Sequence, residues 1–212
     1  MFNINKYIEI NDFIEKSNKN CKIIAISKNH PQESVIKAIN LGVRQFGENR
    51  VFEAKSKYVD LKKEYSDLKL HLTGPLQSNK VRDALELFDV IHTVDREKIA
   101  KEFSKNKELV INKEIFIQVN TGEEKTKSGI IPKHLDDFVN FCRNDMKLNI
   151  SGLMCIPPIN QNPTNHFSML SELANKNSIK DLSIGMSNDY ELAIPFNPKY
   201  IRIGTLLFGK RQ

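Results

Sequence analysis

Short β-branched runs alternate with longer amphipathic stretches along the whole chain. The runs at 22–27, 45–48, 69–73, 90–94, 114–120, 149–155, 181–185 and 200–204 are rich in Ile, Val, Leu and Phe and are bounded by turn residues. This pattern predicts eight strands. Stretches near 31–41, 50–65, 79–88, 95–106, 132–145, 163–176 and 188–194 predict helices, and residues 3–17 predict one more before the first strand. Pro31, Pro132 and Pro163 suit first helical turns, while Asp95 and Ser187 suit N-caps.

Strictly alternating strands and helices imply a parallel sheet with right-handed crossovers. Eight such units, with no linker or composition break, point to one domain over residues 1–212. The expected class is α/β, a single (β/α)8 TIM barrel with an extra N-terminal helix. Closure is not readable from the pattern, so a doubly wound sheet stays the alternative. No strand is followed by GxGxxG and there is no P-loop, which argues against the nucleotide-binding versions of that sheet.

Composition narrows the class further. The chain has 212 residues, 40% hydrophobic and 27% charged, which suits an ordinary globular protein. Its net charge of +6 is spread among acids and asparagines, without the dense basic block or stacking platform of a nucleic-acid binder. Cys21, Cys142 and Cys155 form no CxxC pair, which suits a reducing, cytoplasmic setting. The first 17 residues lack the apolar core of a signal peptide, and no run approaches the ~20 apolar residues of a membrane span.

In such a barrel, chemistry sits at the C-terminal ends of the strands. Lys28 follows the first apolar run. Burial disfavours the charged form of an amine, and a neutral lysine can form a Schiff base with a carbonyl. Most of the 25 lysines are solvated surface charges, so position alone does not decide. Ser187, and then Gly204 with Thr205, end adjacent strands with glycine and hydroxyl groups, a composition that favours a phosphate. Arg202 interrupts an apolar strand, so its charge needs either an internal carboxylate such as Glu48 or a ligand atom. His71 reads as a core histidine. His30, His92, His134 and His166 show no metal-ligand spacing. The proline-rich loop 156–166 is long enough to act as a lid.

Several segments together resemble a known family. They are Ala25-Ile26-Ser27-Lys28 with Pro31, Phe46-Gly47-Glu48-Asn49 with Glu53, and His71 through Lys80. The series continues with Thr93-Val94-Asp95, Val119-Asn120 through Glu124 with Lys127 and Gly129, and Gly152-Leu153-Met154. It closes with Gly185 through Asp189, then Ile201 through Thr205 with Phe208-Gly209. In this order they resemble the pyridoxal phosphate homeostasis proteins, relatives of the N-terminal barrel domain of alanine racemase. Leu70, Phe52 and the glycine-free segment 196–200 depart from the family pattern.

The resemblance implies that Lys28 carries pyridoxal 5′-phosphate (PLP) as an internal aldimine. It implies that Ser187, Gly204 and Thr205 hold the phosphate, that Arg202 faces the ring nitrogen, and that Asn49 and Gly74 line the cofactor. It further implies a monomeric, cytoplasmic PLP carrier or buffer, with apo-PLP enzymes as recipients and no catalytic residue assigned. The racemase relatives add a second domain that supplies a base, which a chain ending at Gln212 is expected to lack. Two alternatives stay open. One is a low-activity racemase using Tyr58, Tyr190 or His166 as a base. The other is a binding protein for a different phosphorylated ligand or an RNA.

Overall fold

The computed structural model describes residues 2–17 and 20–209. The eight strands are β1 (Lys22–Ile26), β2 (Gln45–Glu48), β3 (Lys69–Leu72), β4 (Val90–Val94), β5 (Glu114–Val119), β6 (Ile150–Cys155), β7 (Asp181–Met186) and β8 (Tyr200–Ile203). All neighbours pair in parallel and in chain order. β8 pairs with β1, Lys22 opposite Tyr200 and Ile24 opposite Arg202. That last pairing closes the barrel and removes the doubly wound alternative.

The helices are α1 (Ile4–Ser17), α2 (Gln32–Asn40), α3 (Val51–Glu64), α4 (Val81–Leu87), α5 (Glu97–Lys105), α6 (Lys107–Val110), α7 (Leu135–Asn140), α8 (Pro163–Lys176), α9 (Tyr190–Ala193) and α10 (Thr205–Phe208). Helical spacing of apolar residues explains the docked faces. Val35, Ala38 and Ile39 turn α2 onto the sheet, and Val51, Ala54, Tyr58 and Leu61 do the same for α3. The extra helix α1 buries Ile10 and Ile14, and it meets α10 through Asn3 N–H donating to the Leu207 carbonyl at 2.7 Å.

The periodicity did not show where helices fray or divide. The stretch 132–145 is a 3₁₀ turn, then α7, then a π-helical turn over 141–145. Asn3 caps α1, its Oδ1 accepting from Lys6 N–H at 3.1 Å, and Asn162, ahead of Pro163, caps α8 by accepting from Thr164 N–H at 3.0 Å. Asp95 precedes the cap position of α5, which Arg96 fills, and it pairs with Arg96 instead. Ser187 lies two residues before the cap of α9.

The core has two parts, as alternating strand residues require. Most buried apolar residues fill the layer between strands and helices. Ile24, Ile26, Val90, Phe116, Met154 and Tyr200 fill the barrel interior. Among the described residues, no helix is long and apolar enough to cross a membrane.

Candidate functional site

A cavity of about 460 Å³ opens at the C-terminal mouth of the barrel. Lys28, Asn49, Ser187, Arg202, Gly204 and Thr205 line it, and so do Ile26, Thr73, Met186, Asn188 and Asp189. Six of the seven residues expected from the sequence therefore converge there. Gly74 does not line the cavity. A Cβ on Gly74 would stand 2.3 Å from the Asn49 carbonyl oxygen, so this glycine lets the loop after β3 lie directly against Asn49.

Lys28 continues the inward alternation of Ile24 and Ile26, and it is half-buried at the rim. On the neighbouring strand β8, the buried Arg202 guanidinium donates to the Ser183 carbonyl and hydroxyl at 2.7 Å each and to the Cys155 carbonyl at 2.8 Å. These acceptors are neutral, so its charge has no carboxylate in direct contact. Burial pushes its pKa down, with Asp189 among the groups that oppose the shift. The ion pair with Glu48 weighed from the sequence does not form. Glu48 lies on the outer face of β2, beside Phe46, and pairs with Lys57 at 2.9 Å.

The loops after β7 and β8 meet where the Gly204 N–H donates to the Ser187 hydroxyl at 3.3 Å. Gly185, with φ +86, turns the chain there, and a Cβ on it would stand 2.8 Å from that of Ala193. Asp189 ties the same loop by accepting from Met186 N–H at 2.5 Å, and burial raises its carboxyl pKa. Gly204 differs. A Cβ there would meet Ile26 only at an ordinary 3.4 Å, so packing does not demand a glycine. It lines the cavity together with Ser187 and Thr205.

The sequence reading missed Thr73, whose hydroxyl donates to Asn49 Oδ1 at 3.1 Å. This leaves the Asn49 amide nitrogen to donate elsewhere. The strand-end rule, applied to β3, was the signal for it. The loop expected as a lid supplies Ile156, Pro157, Pro158, Ile159, Gln161 and Pro163 to the opposite wall. It is tied down by Gln161, whose side chain bonds His166 at 2.9 Å, and His166 in turn bonds Thr121 at 3.0 Å.

One layer below, His71 is a core residue, as expected. It bonds Gln45 at 2.8 Å and His92 at 3.0 Å, and burial pushes its pKa down to about 3. Met154 is fully buried in the same interior. Tyr58, Tyr190 and His166 stand outside the cavity wall. Among the described residues, no group of three His, Cys, Asp or Glu could hold a metal ion.

The chain is similar to several known proteins. Residues 9–212 match the family described as alanine racemase, N-terminal domain. The pyridoxal phosphate homeostasis protein of Aquifex aeolicus is 37% identical over 206 residues, covering 92% of this chain and 89% of that protein. Its Vibrio cholerae namesake is 37% identical over 208 residues, covering 93% and 88%. The structure of PipY from Synechococcus elongatus with PLP bound aligns with a TM-score of 0.81 at 31% identity, over 96% of this chain and all of that one. Alanine racemase from Acinetobacter baumannii shares the fold at 14% identity and a TM-score of 0.76, over 98% of this chain and 62% of that one.

Proposed function

The chain belongs to the pyridoxal phosphate homeostasis proteins, within the alanine racemase N-terminal domain family, and we propose that it holds PLP as a Schiff base on Lys28. The observation that carries this reading is the convergence of Lys28, Asn49, Arg202, Ser187, Gly204 and Thr205 on one cavity. The PLP-bound structure of PipY supports it.

The donor set suits the cofactor. PLP calls for an amine to meet its aldehyde, hydroxyl and N–H donors for its phosphate, and a polar partner for its ring nitrogen. Lys28 supplies the amine, while Ser187, Gly204 and Thr205 supply the phosphate donors. Arg202 supplies the ring partner, and Thr73 fixes the Asn49 amide beside it. When bound, PLP provides an electrophilic aldehyde and an electron-withdrawing ring.

Storage and exchange fit these residues better than turnover. Arg202 is a cation, so it disfavours a proton on the ring nitrogen and weakens the ring as an electron sink. A racemase needs a base facing the substrate carbon. Tyr58 bonds Ser27 in the outer layer at 2.6 Å, and Tyr190 donates to Glu191 at 3.0 Å. Asp189 does line the cavity, but Met186 N–H occupies its Oδ1. The protein is read as a monomeric, cytoplasmic carrier that passes PLP to apo-enzymes.

Borohydride reduction of the PLP-loaded protein, followed by peptide mapping, tests this directly. One label on Lys28, absent in Lys28→Ala, is expected. A label on another lysine, or none, overturns the reading. Sustained, Lys28-dependent exchange of amino-acid α-protons in heavy water would favour the racemase instead.

A further inference from the structure

Outside the cavity, on the far side of the barrel wall, lies a charged cluster between β1, β2 and α3. Lys57 is its centre. This residue is 8% exposed, and its ammonium donates to Glu48 Oε1 at 2.9 Å, Glu53 Oε1 at 2.7 Å and the Ser27 carbonyl at 2.9 Å. All three of its protons are used. The Ser27 hydroxyl donates to Glu48 at 2.7 Å and meets the Tyr58 hydroxyl at 2.6 Å. Glu53 also accepts from Asn29 N–H at 2.5 Å.

The cluster grips the chain on both sides of Lys28 and touches no ligand space. Ser27 is fixed through its carbonyl and hydroxyl, and Asn29 through its N–H. Asn29 is left-handed, with φ +61, a conformation that asparagine tolerates better than most non-glycine residues. Glu48 Oε2 is buried without a hydrogen-bond partner among the described residues, so Glu48 depends on Lys57 and Ser27 alone. Two carboxylates sharing one buried ammonium are a costly way to fasten a helix to a sheet. Their geometry has one further consequence: it sets the direction in which residue 28 leaves the strand.

Resting on the Schiff-base reading above, we infer that Lys57, with Glu48 and Glu53, positions Lys28 for covalent capture of PLP by fixing the backbone at Ser27 and Asn29. Lys57 is a positioning residue, not a catalytic one. Because the cluster acts on the amine and not on the phosphate or ring contacts, its loss should separate covalent from non-covalent binding. A misplaced nucleophile lowers capture while the remaining contacts persist.

The test compares PLP with pyridoxine 5′-phosphate, which carries the phosphate and ring but no aldehyde. Glu53→Ala removes the Asn29 acceptor and leaves the Glu48–Lys57 pair. It should slow and weaken PLP capture about tenfold, the scale of one hydrogen bond to a charged group. Affinity for pyridoxine 5′-phosphate should stay as in wild type, and Glu53→Gln, which keeps an acceptor oxygen, should recover part of the loss. Lys57→Met should show the same split more strongly. If Lys57→Met does not fold, Glu53→Ala still decides. Unchanged PLP capture in Glu53→Ala, or equal losses for both ligands, overturns the inference. Lys28→Ala runs alongside. If it captures PLP covalently like wild type, the Schiff-base reading has failed; if it captures none while Glu53→Ala is normal, only the positioning role has.

Discussion

Halfway down the barrel, His71 and His92 bond each other at 3.0 Å, and His92 stacks on Phe116 with ring centroids 4.8 Å apart. At the mouth, Arg202 and the groups around it face a cavity of about 460 Å³. Both layers are polar for a barrel interior, yet they treat their polar atoms differently. Below, neutral imidazoles bond inward to one another and to Gln45, His92 Nδ1 is buried without a partner among the described residues, and rings fill the remaining space. Above, a cation rests on backbone and hydroxyl oxygens, and an amine, an amide and three hydroxyls border open volume. Side-chain choice at equivalent inward positions thus separates a packed layer from a receiving one, on a single scaffold.

Acid is the strongest way to break that contrast. Burial holds the His71 pKa at about 3, against an ordinary 6.5, and pushes His92 well below its usual range. The unfolded chain takes up these protons first as pH falls. His71 stability is therefore complete above about pH 6.5 and is lost progressively down to about pH 3, by up to about 1.4 kcal/mol per pH unit. Glu48, whose carboxyl is raised by burial, works in the opposite direction, so the comparison must be differential. Urea unfolding of wild type and His71→Gln across this window should show the wild-type advantage shrinking as pH falls. A constant difference would mean that the imidazole is already charged in the folded barrel.

A smaller effect tests whether the lower layer is truly packed. A Cβ on Gly152 would stand 2.2 Å from Phe116 Cε1 and 2.5 Å from the Asp181 carbonyl oxygen. The backbone oxygen cannot move aside as a flexible side chain could. Gly152→Ala should destabilise the fold by about 1–3 kcal/mol, read as a lower urea midpoint. A midpoint at the wild-type value would show that the interior has room to spare.

Legibility in the sequence differed between these layers for a physical reason. Short apolar runs and their turn residues carry the eight strands, and polar strand ends carry most of the mouth, because both signals are local. Barrel closure is not local, since it depends on β8 meeting β1 some 180 residues away. Alternation places Glu48 on the same face as Phe46, but only the neighbouring strands decide which face is inward. That is why Arg202 was matched with Glu48, when its acceptors are the Cys155 and Ser183 carbonyls of β6 and β7. Backbone oxygens leave no trace in composition. Thr73 and the Lys57 cluster were overlooked similarly, since a lysine in an amphipathic helix reads as solvated until its partners are seen.

Gly204 gives the finest comparison, because it faces the same interior as Gly152 under opposite constraints. Its φ is −114, outside the left-handed region, and a Cβ would meet Ile26 at 3.4 Å. Neither backbone nor packing requires glycine at that position. Gly204→Ala should therefore change folding stability by less than about 0.5 kcal/mol. The added methyl would sit on the wall of the cavity that Ser187 and Thr205 also line, at the proposed phosphate site. Affinity for PLP should fall about tenfold, near 1.4 kcal/mol, and affinity for inorganic phosphate should fall with it. Intact binding with lowered stability would assign Gly204 to the packed layer and move the phosphate elsewhere in the mouth.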